Sequence, residues 1–250
     1  MKPVLQVALD FVNLDRALKC ASEAVKGGVD WIEAGTPLIK SEGLNAVRKL
    51  REEFPKKTIV ADMKIMDAGR IEVEIASKAG ANVVCVLGAA SNSTIRECVE
   101  AAHNYGAKIQ ADLISVKNIK KRAMEIQNLG VDYIGIHCAI DEQMQAKDPF
   151  GQLKEIKKGI HVPIAIAGGI NSETAPGAVK AGASIIIVGG AINKARDARK
   201  ATSDIKNSIK TLKKIKTELF KRVSEKDIEK ILNKVSTANI SDAMHRSGDL

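Results

Sequence analysis

The sequence predicts an α/β protein: a closed (β/α)8 (TIM) barrel over residues 1–210, then a charged helical extension over 211–250. Three observations carry this. Eight short β-branched runs start about 25 residues apart, the length of one strand–helix unit with short loops. Amphipathic helical stretches separate them. Recurring glycines close those helices and turn the chain into the next run. Alternating strands and helices imply a parallel sheet. Eight nearly even units favour a closed barrel over a doubly wound open sheet. The first run is not followed by Gly-x-Gly-x-x-Gly, which argues against a dinucleotide fold.

The first four strands are predicted at Val4–Asp10, Trp31–Gly35, Thr58–Ile65 and Val83–Gly88. The second four are Lys108–Ile114, Tyr133–Cys138, Pro163–Gly169 and Ser184–Gly190. Their Val and Ile content suits strands buried on both faces. Between the first two, Leu14, Ala17, Leu18, Ala21, Ala24 and Val25 fall on one helical face, with Asn13 as N-cap. Gly27-Gly28, Gly80, Gly130 and Gly182 each end a helix, where glycine can take the left-handed position. Residues 196–234 read as charged helix with no further strand.

Of the 250 residues, 45% are hydrophobic and only 3% aromatic, so the core must be built from Val, Ile, Leu and Ala. Few aromatics also argue against a single-strand nucleic-acid binder, which needs stacking platforms. The formal charge of +9 is read as a lysine-rich solvated surface, concentrated late in the chain. No apolar run reaches the roughly 20 residues of a membrane span, and the N-terminus carries no signal-peptide pattern. Cys20, Cys85, Cys98 and Cys138 lack Cys-x-x-Cys spacing. The expectation is a cytoplasmic protein without structural disulfides or zinc.

In such a barrel the functional groups stand at the C-terminal strand ends. Asp10 ends the first strand; the second carries Glu33 and runs on to Thr36. The third carries Asp62 and Lys64, with Asp67 just beyond, and period-two alternation puts Asp62 and Lys64 on one side. Asp112 and His137 end the fifth and sixth. Each residue alone could be an ordinary ion-pair partner; six on one rim point to a site. Several carboxylates at one mouth repel unless cations sit among them. Lys64 is one such charge, and a divalent cation on Glu33 and Asp62 is another. Mg²⁺ suits these oxygen donors, and Mn²⁺ accepts the same set. Gly168-Gly169 and Gly189-Gly190 follow the last two strands, where barrels often bind phosphate through bare backbone N–H groups. His137, the one histidine at a strand end, is the candidate proton carrier.

The segment Ala61-Asp62-Met63-Lys64-Ile65-Met66-Asp67-Ala68-Gly69 carries Asp-x-Lys-x-x-Asp. With Asp10, Glu33, His137 and both glycine pairs, it resembles the orotidine 5′-monophosphate decarboxylase suprafamily over about residues 1–210. Ala68-Gly69-Arg70-Ile71-Glu72 looks like its sugar-phosphate branch. Asp112, Cys138-Ala139-Ile140-Asp141, Asp148-Pro149-Phe150 and Val188-Gly189-Gly190-Ala191-Ile192 look like the 3-hexulose-6-phosphate synthases. The 3-keto-L-gulonate-6-phosphate decarboxylases are the alternative. Cys138-Ala139-Ile140 departs from the synthase pattern, which is smaller and more polar there.

The resemblance implies a reversible aldol reaction of formaldehyde with D-ribulose 5-phosphate through a 1,2-enediolate held by Mg²⁺. It implies Glu33 and Asp62 as metal ligands, and Lys64, His137, Asp62 and Asp67 as catalytic groups. Asp10, Thr36 and Asp112 would hold the sugar, and Gly169, Gly190 and Ala191 its phosphate. Asp67 would reach the partner's site in a homodimer. The stretch Val235–Ala243 resembles the opening of a ribonuclease-regulator-like domain, which implies a piece of a longer fusion. A nucleic-acid or regulatory binding module is the remaining alternative; it leaves the rim residues unexplained.

Overall fold

The computed structural model describes residues 2–137 and 150–217, together with 229 and 233. All eight expected strands form. They are β1 (Val4–Leu9), β2 (Trp31–Ala34), β3 (Thr58–Ile65), β4 (Val83–Leu87), β5 (Lys108–Asp112), β6 (Tyr133–His137), β7 (Ile164–Ala167) and β8 (Ile185–Val188). Each pairs in parallel with its neighbour in chain order, and β8 closes on β1 with Val4 opposite Ile185 and Val7 opposite Val188. Most strands stop a residue or two before the predicted end. Those trailing residues (Asp10, Gly35, Gly168, Gly189) form the rim loops instead.

Among the described residues the helices are α1 (Leu14–Lys26), α2 (Thr36–Glu42), α3 (Asn45–Glu53), α4 (Gly69–Lys78) and α5 (Asn92–Tyr105). Then come α6 (Ile119–Gln127), α7 (Phe150–Ile156), α8 (Ala175–Lys180), α9 (Gly190–Asn193) and α10 (Ala198–Thr211). In α1 the Asn13 side chain accepts from Arg16 N–H at 3.0 Å, and Ala17, Cys20, Ala21 and Ala24 are buried. Gly28, Gly80, Gly130 and Gly182 have φ of +96°, +109°, +94° and +104°. These are the left-handed positions that return the chain from helix to strand, and a side chain there would be strained.

The lumen is filled by Ala8, Val60, Val83, Cys85, Tyr133, Ala165, Ile185 and Ile187. Ile32, Ile59, Ile109 and Ile134 are fully buried as well. Burying each such aliphatic side chain contributes roughly 1.5–3 kcal/mol. An aliphatic barrel therefore needs few aromatics, as the composition implied. No helix among the described residues is long and apolar enough to cross a membrane.

One expectation fails. The predicted helix over 196–234 stops at Thr211, where Leu212 turns left-handed with φ +56°. Residues 212–217 then run back along the barrel. Ile215 N–H donates to Ser172 O at 3.2 Å, Ser172 Oγ–H donates to Ile215 O at 2.8 Å, and Thr217 N–H donates to Glu173 Oε1 at 3.1 Å. These tertiary bonds override the local helical preference of a lysine-rich run. The compact unit runs over Met1–Thr217. The rest of the extension, the expected second-domain start at Val235–Ala243, and the stretches Cys138–Asp141 and Asp148-Pro149 lie outside the described residues.

Candidate active site

The site begins with an irregularity in β3. Ala61 pairs with Val84 and Ile65 with Val86, so four steps along β3 match two along β4. Within this bulge Lys64 has φ +47°. A left-handed residue other than glycine costs roughly 1–2 kcal/mol, and such strain gathers at functional positions. Plain alternation predicted that Asp62 and Lys64 share a side. They do, but a bulge aims them, and bulges commonly re-aim side chains beside active sites.

Lys64 Nζ donates to Asp62 Oδ2 at 2.9 Å and Oδ1 at 3.2 Å, and to Asp112 Oδ2 at 3.0 Å. Burial alone would lower the Lys64 pKa, but the two carboxylates outweigh it and hold the ammonium form well above the usual lysine value. His137 Nδ1 lies 3.0 Å from Asp112 Oδ2, and Ile114 N–H donates to Asp112 Oδ1 at 2.9 Å. Burial would raise the Asp112 pKa; His137 and Lys64 reverse this and hold it at about 2. Asp112 thus spends both oxygens on protein donors. It acts as an anchor that orients Lys64 and His137, beyond the sugar contact expected of it. With Nδ1–H given to Asp112, Nε2 is the His137 atom left to exchange a proton.

On the other flank, Thr36 Oγ1–H is shared between Asp62 Oδ2 at 2.7 Å and Asp62 O at 2.9 Å. Glu33 is buried and accepts from the Gln6 side-chain amide. Burial first, then Asp62 and Asp10, push the Glu33 pKa well above the usual carboxylate range. Asp10, whose side chain stays exposed at the rim, is pushed up to about 6 by desolvation there and by Asp62, against the opposing pull of Lys64 and His137. The Asp62 carboxylate therefore raises the cost of ionising both Asp10 and Glu33 beside it. A divalent cation would relieve it, because a bound ion is the largest local charge in a site. Among the described residues no three His, Cys, Asp or Glu side chains form a metal cage. Glu33 and Asp62 can offer two carboxylates, which is how Mg²⁺ is usually held, with water and substrate oxygens completing the shell.

Across the mouth, Gly168 and Gly169 have φ of +106° and +67° after β7. Gly189 precedes α9, and Gly190 and Ala191 open it. The N–H groups of Gly169, Gly190 and Ala191 have no protein acceptor among the described residues. Free donors on adjacent strand ends suit an anion. Asp67 is not brought into this cluster. It is exposed, and its Oδ1 accepts from Ala68 N–H at 2.8 Å.

Sequence reading missed Gln6, Gly35, Cys85 and Gln110. Gln6 orients Glu33, and Gln110 Nε2–H points to Cys85 Sγ at 3.7 Å beneath Asp112. The signal was there to read: an amide inside an apolar strand run, two residues or four before a rim carboxylate, faces the same side. Gly35 has a different role. A Cβ there would stand 2.3 Å from Asp10 Oδ1 and 2.8 Å from Leu9 O. Only a bare backbone lets Asp10 sit where it does.

A closed parallel barrel with a lysine–carboxylate cluster at the C-terminal mouth, facing free N–H donors after β7 and β8, has the anatomy of a barrel enzyme with an anion-binding mouth. The chain belongs to the Orotidine 5'-phosphate decarboxylase / HUMPS family, whose model matches residues 3–205. It is 43% identical over 206 residues to 3-hexulose-6-phosphate synthase of Bacillus subtilis (strain 168), covering 82% of this chain and 98% of that protein. The structure of 3-hexulose-6-phosphate synthase from Salmonella typhimurium matches with a TM-score of 0.81 at 35% identity, over 85% of this chain and 100% of that one. A structure of KGPDC from Streptococcus mutans matches with a TM-score of 0.79 at 26% identity, over 85% and 99%. The resemblance carried by the Asp-x-Lys-x-x-Asp segment is thus a family relationship across the whole barrel.

Proposed function

We propose that this chain is an aldehyde-lyase of the 3-hexulose-6-phosphate synthase type. It would reversibly condense formaldehyde with D-ribulose 5-phosphate to D-arabino-hex-3-ulose 6-phosphate. The observation that carries this is the Lys64 ammonium held between Asp62 and Asp112, with His137 on the same anchor. The identity to the Bacillus subtilis synthase supports it.

Glu33 and Asp62 would hold Mg²⁺, or equally Mn²⁺, which when bound supplies positive charge to the oxygens of a 1,2-enediolate. The chain's own groups do the rest. Gly169, Gly190 and Ala191 N–H groups bind the phosphate and fix the sugar's register. Asp10 and Thr36 orient its hydroxyls. His137 Nε2 takes the proton from C1 of the sugar. Lys64 stabilises the oxyanion as it develops, in a recess where a fixed charge is worth far more than in water. The enediolate carbon then attacks the formaldehyde carbon, and the new alkoxide collects a proton. A homodimer belongs to the same proposal, with Asp67 completing the partner's site. In support, Met66, Ile71 and Ile75 beside it are 54%, 58% and 42% exposed, an apolar face suited to a second copy.

The test is formaldehyde consumption by the purified protein with ribulose 5-phosphate, with Mg²⁺ and with EDTA. Consumption that needs both sugar phosphate and metal is expected. The similarity to KGPDC favours a second reading, decarboxylation of 3-keto-L-gulonate 6-phosphate. Release of CO₂ from that compound, without formaldehyde consumption, would replace the first reading with the second.

A further inference from the structure

An open recess lies at the opposite end of the barrel from this site. Its volume is about 430 Å³, within the range of small-molecule sites. Trp31, Thr58, Val83, Lys108 and Tyr133, the first residues of β2 to β6, form its wall with the α3–β3 loop. Strands of about five residues separate it from the C-terminal mouth by about 15 Å. It shares no residue with the site above.

Its charge is one-sided. Lys56, Lys57, Lys108 and Arg51 line it, and no carboxylate does. Among the described residues none of the three lysines makes an ion pair. Lys57 Nζ donates to Val29 O at 2.6 Å and keeps two further N–H donors. Lys108 Nζ lies 3.3 Å from Tyr133 Oη and 5.5 Å from its ring centroid. Arg51 is spent on the fold: its guanidinium binds the carbonyls of Gly80, Pro55 and Lys57 and the side chain of Asn82. Those bonds fix the loop that presents Lys56 and Lys57. Within that wall Trp31 and Tyr133 meet as an edge-to-face pair, centroids 5.5 Å apart. Like charges gathered round one recess repel unless an anion joins them, and such a recess concentrates anions.

We propose that this basal cavity binds a small polyanion through a pyrophosphate-type group, with Lys56, Lys57 and Lys108 as its donors. That group is shared by free pyrophosphate and by nucleoside di- and triphosphates. In a nucleotide the base would lie against Trp31. Lysine suits this task as a mobile point charge on phosphate.

Trp31 is the single tryptophan of the chain, so its emission reports directly on the cavity. The experiment titrates the full chain with pyrophosphate, and separately with ATP, against NaCl of matched ionic strength. A saturable change in emission with either phosphate compound is expected. Lys57→Ala/Lys108→Ala should raise the apparent Kd about tenfold or more, with a small fall in the melting temperature of the ligand-free protein from the lost Lys57–Val29 bond. Equal binding of the two compounds assigns the whole ligand to the polyphosphate group, and tighter ATP binding adds the base; both support the site. No saturable change, an equal change with NaCl, or an unaltered Kd in the double variant overturns it. Should the double variant fail to fold, Lys56→Ala on the exposed loop serves the same comparison.

Discussion

Lys64 and Asp112 stand on β3 and β5, with β4 between them, yet Lys64 Nζ lies 3.0 Å from Asp112 Oδ2. The reach depends on the bulge in β3 and the left-handed backbone at Lys64. One ammonium thereby compensates two buried carboxylates, Asp62 and Asp112. Under the proposed mechanism, the site's chemistry and part of the barrel's stability rest on the same side chain.

Lys64→Ala should lower kcat by about 10²–10³, the cost typical of losing one preorganised charge at a developing oxyanion. It should also lower the melting temperature. Removing one partner of a fully buried pair costs about 3–5 kcal/mol, and less is expected here because the Lys64 side chain is 24% exposed. Lys64→Arg should recover more stability than turnover, since it keeps the charge but not the geometry. Steady-state kinetics and thermal melts of the two variants check this; full activity in Lys64→Ala would remove Lys64 from the mechanism.

Asp62→Asn should abolish the Mg²⁺ response and most of the turnover, while Thr36 keeps an acceptor at the amide oxygen and the fold survives. Titrating activity with Mg²⁺ is the measurement. An unchanged Mg²⁺ requirement would strike Asp62 from the ligand set.

The acid stability profile should carry two opposite slopes. Asp112 has its carboxyl at about 2 in the folded protein against an ordinary 3.8. The folded state binds fewer protons there, so this stabilisation is complete above about pH 4 and is lost as pH falls towards 2. A shift of that size corresponds to roughly 2 kcal/mol. Asp10, raised to about 6, has the reverse sign: stability falls as pH rises from about 4 through 6. Denaturant melts across pH should lose the lower slope in Asp112→Asn, while Asp10→Asn should reduce the upper one, to which the raised Glu33 adds with the same sign. A parent profile flat below pH 4 would contradict the Asp112 assignment.

Gly35→Ala should raise KM for the sugar phosphate and destabilise by about 1–3 kcal/mol, because the new Cβ meets backbone at Leu9 O as well as Asp10. Gly189→Ala should be milder, since its closest contact is the Asp10 Oδ2 atom at 3.0 Å, and a side chain can move. Equal effects in the two variants would mean that the position of Asp10 does not matter.

What the sequence determined by itself was the periodic part. Strand and helix periods, and glycines such as Gly28, Gly80, Gly130 and Gly182, located all eight strands, because local sterics and burial act over a few neighbouring residues. The rim residues were legible for the same reason: strand ends follow from strand positions. The tertiary structure decided what depends on distant partners. The stop at Thr211 came from hydrogen bonds to Ser172 and Glu173, some forty residues back. The bulge at Lys64, the role of Asp112 as an anchor between Lys64 and His137, and the seat of Glu33 on Gln6 are likewise cross-strand relationships. So is the basal gathering of Lys56, Lys57 and Lys108 round Trp31. No local pattern encodes such contacts, because closing the barrel is what brings those strands within hydrogen-bonding distance.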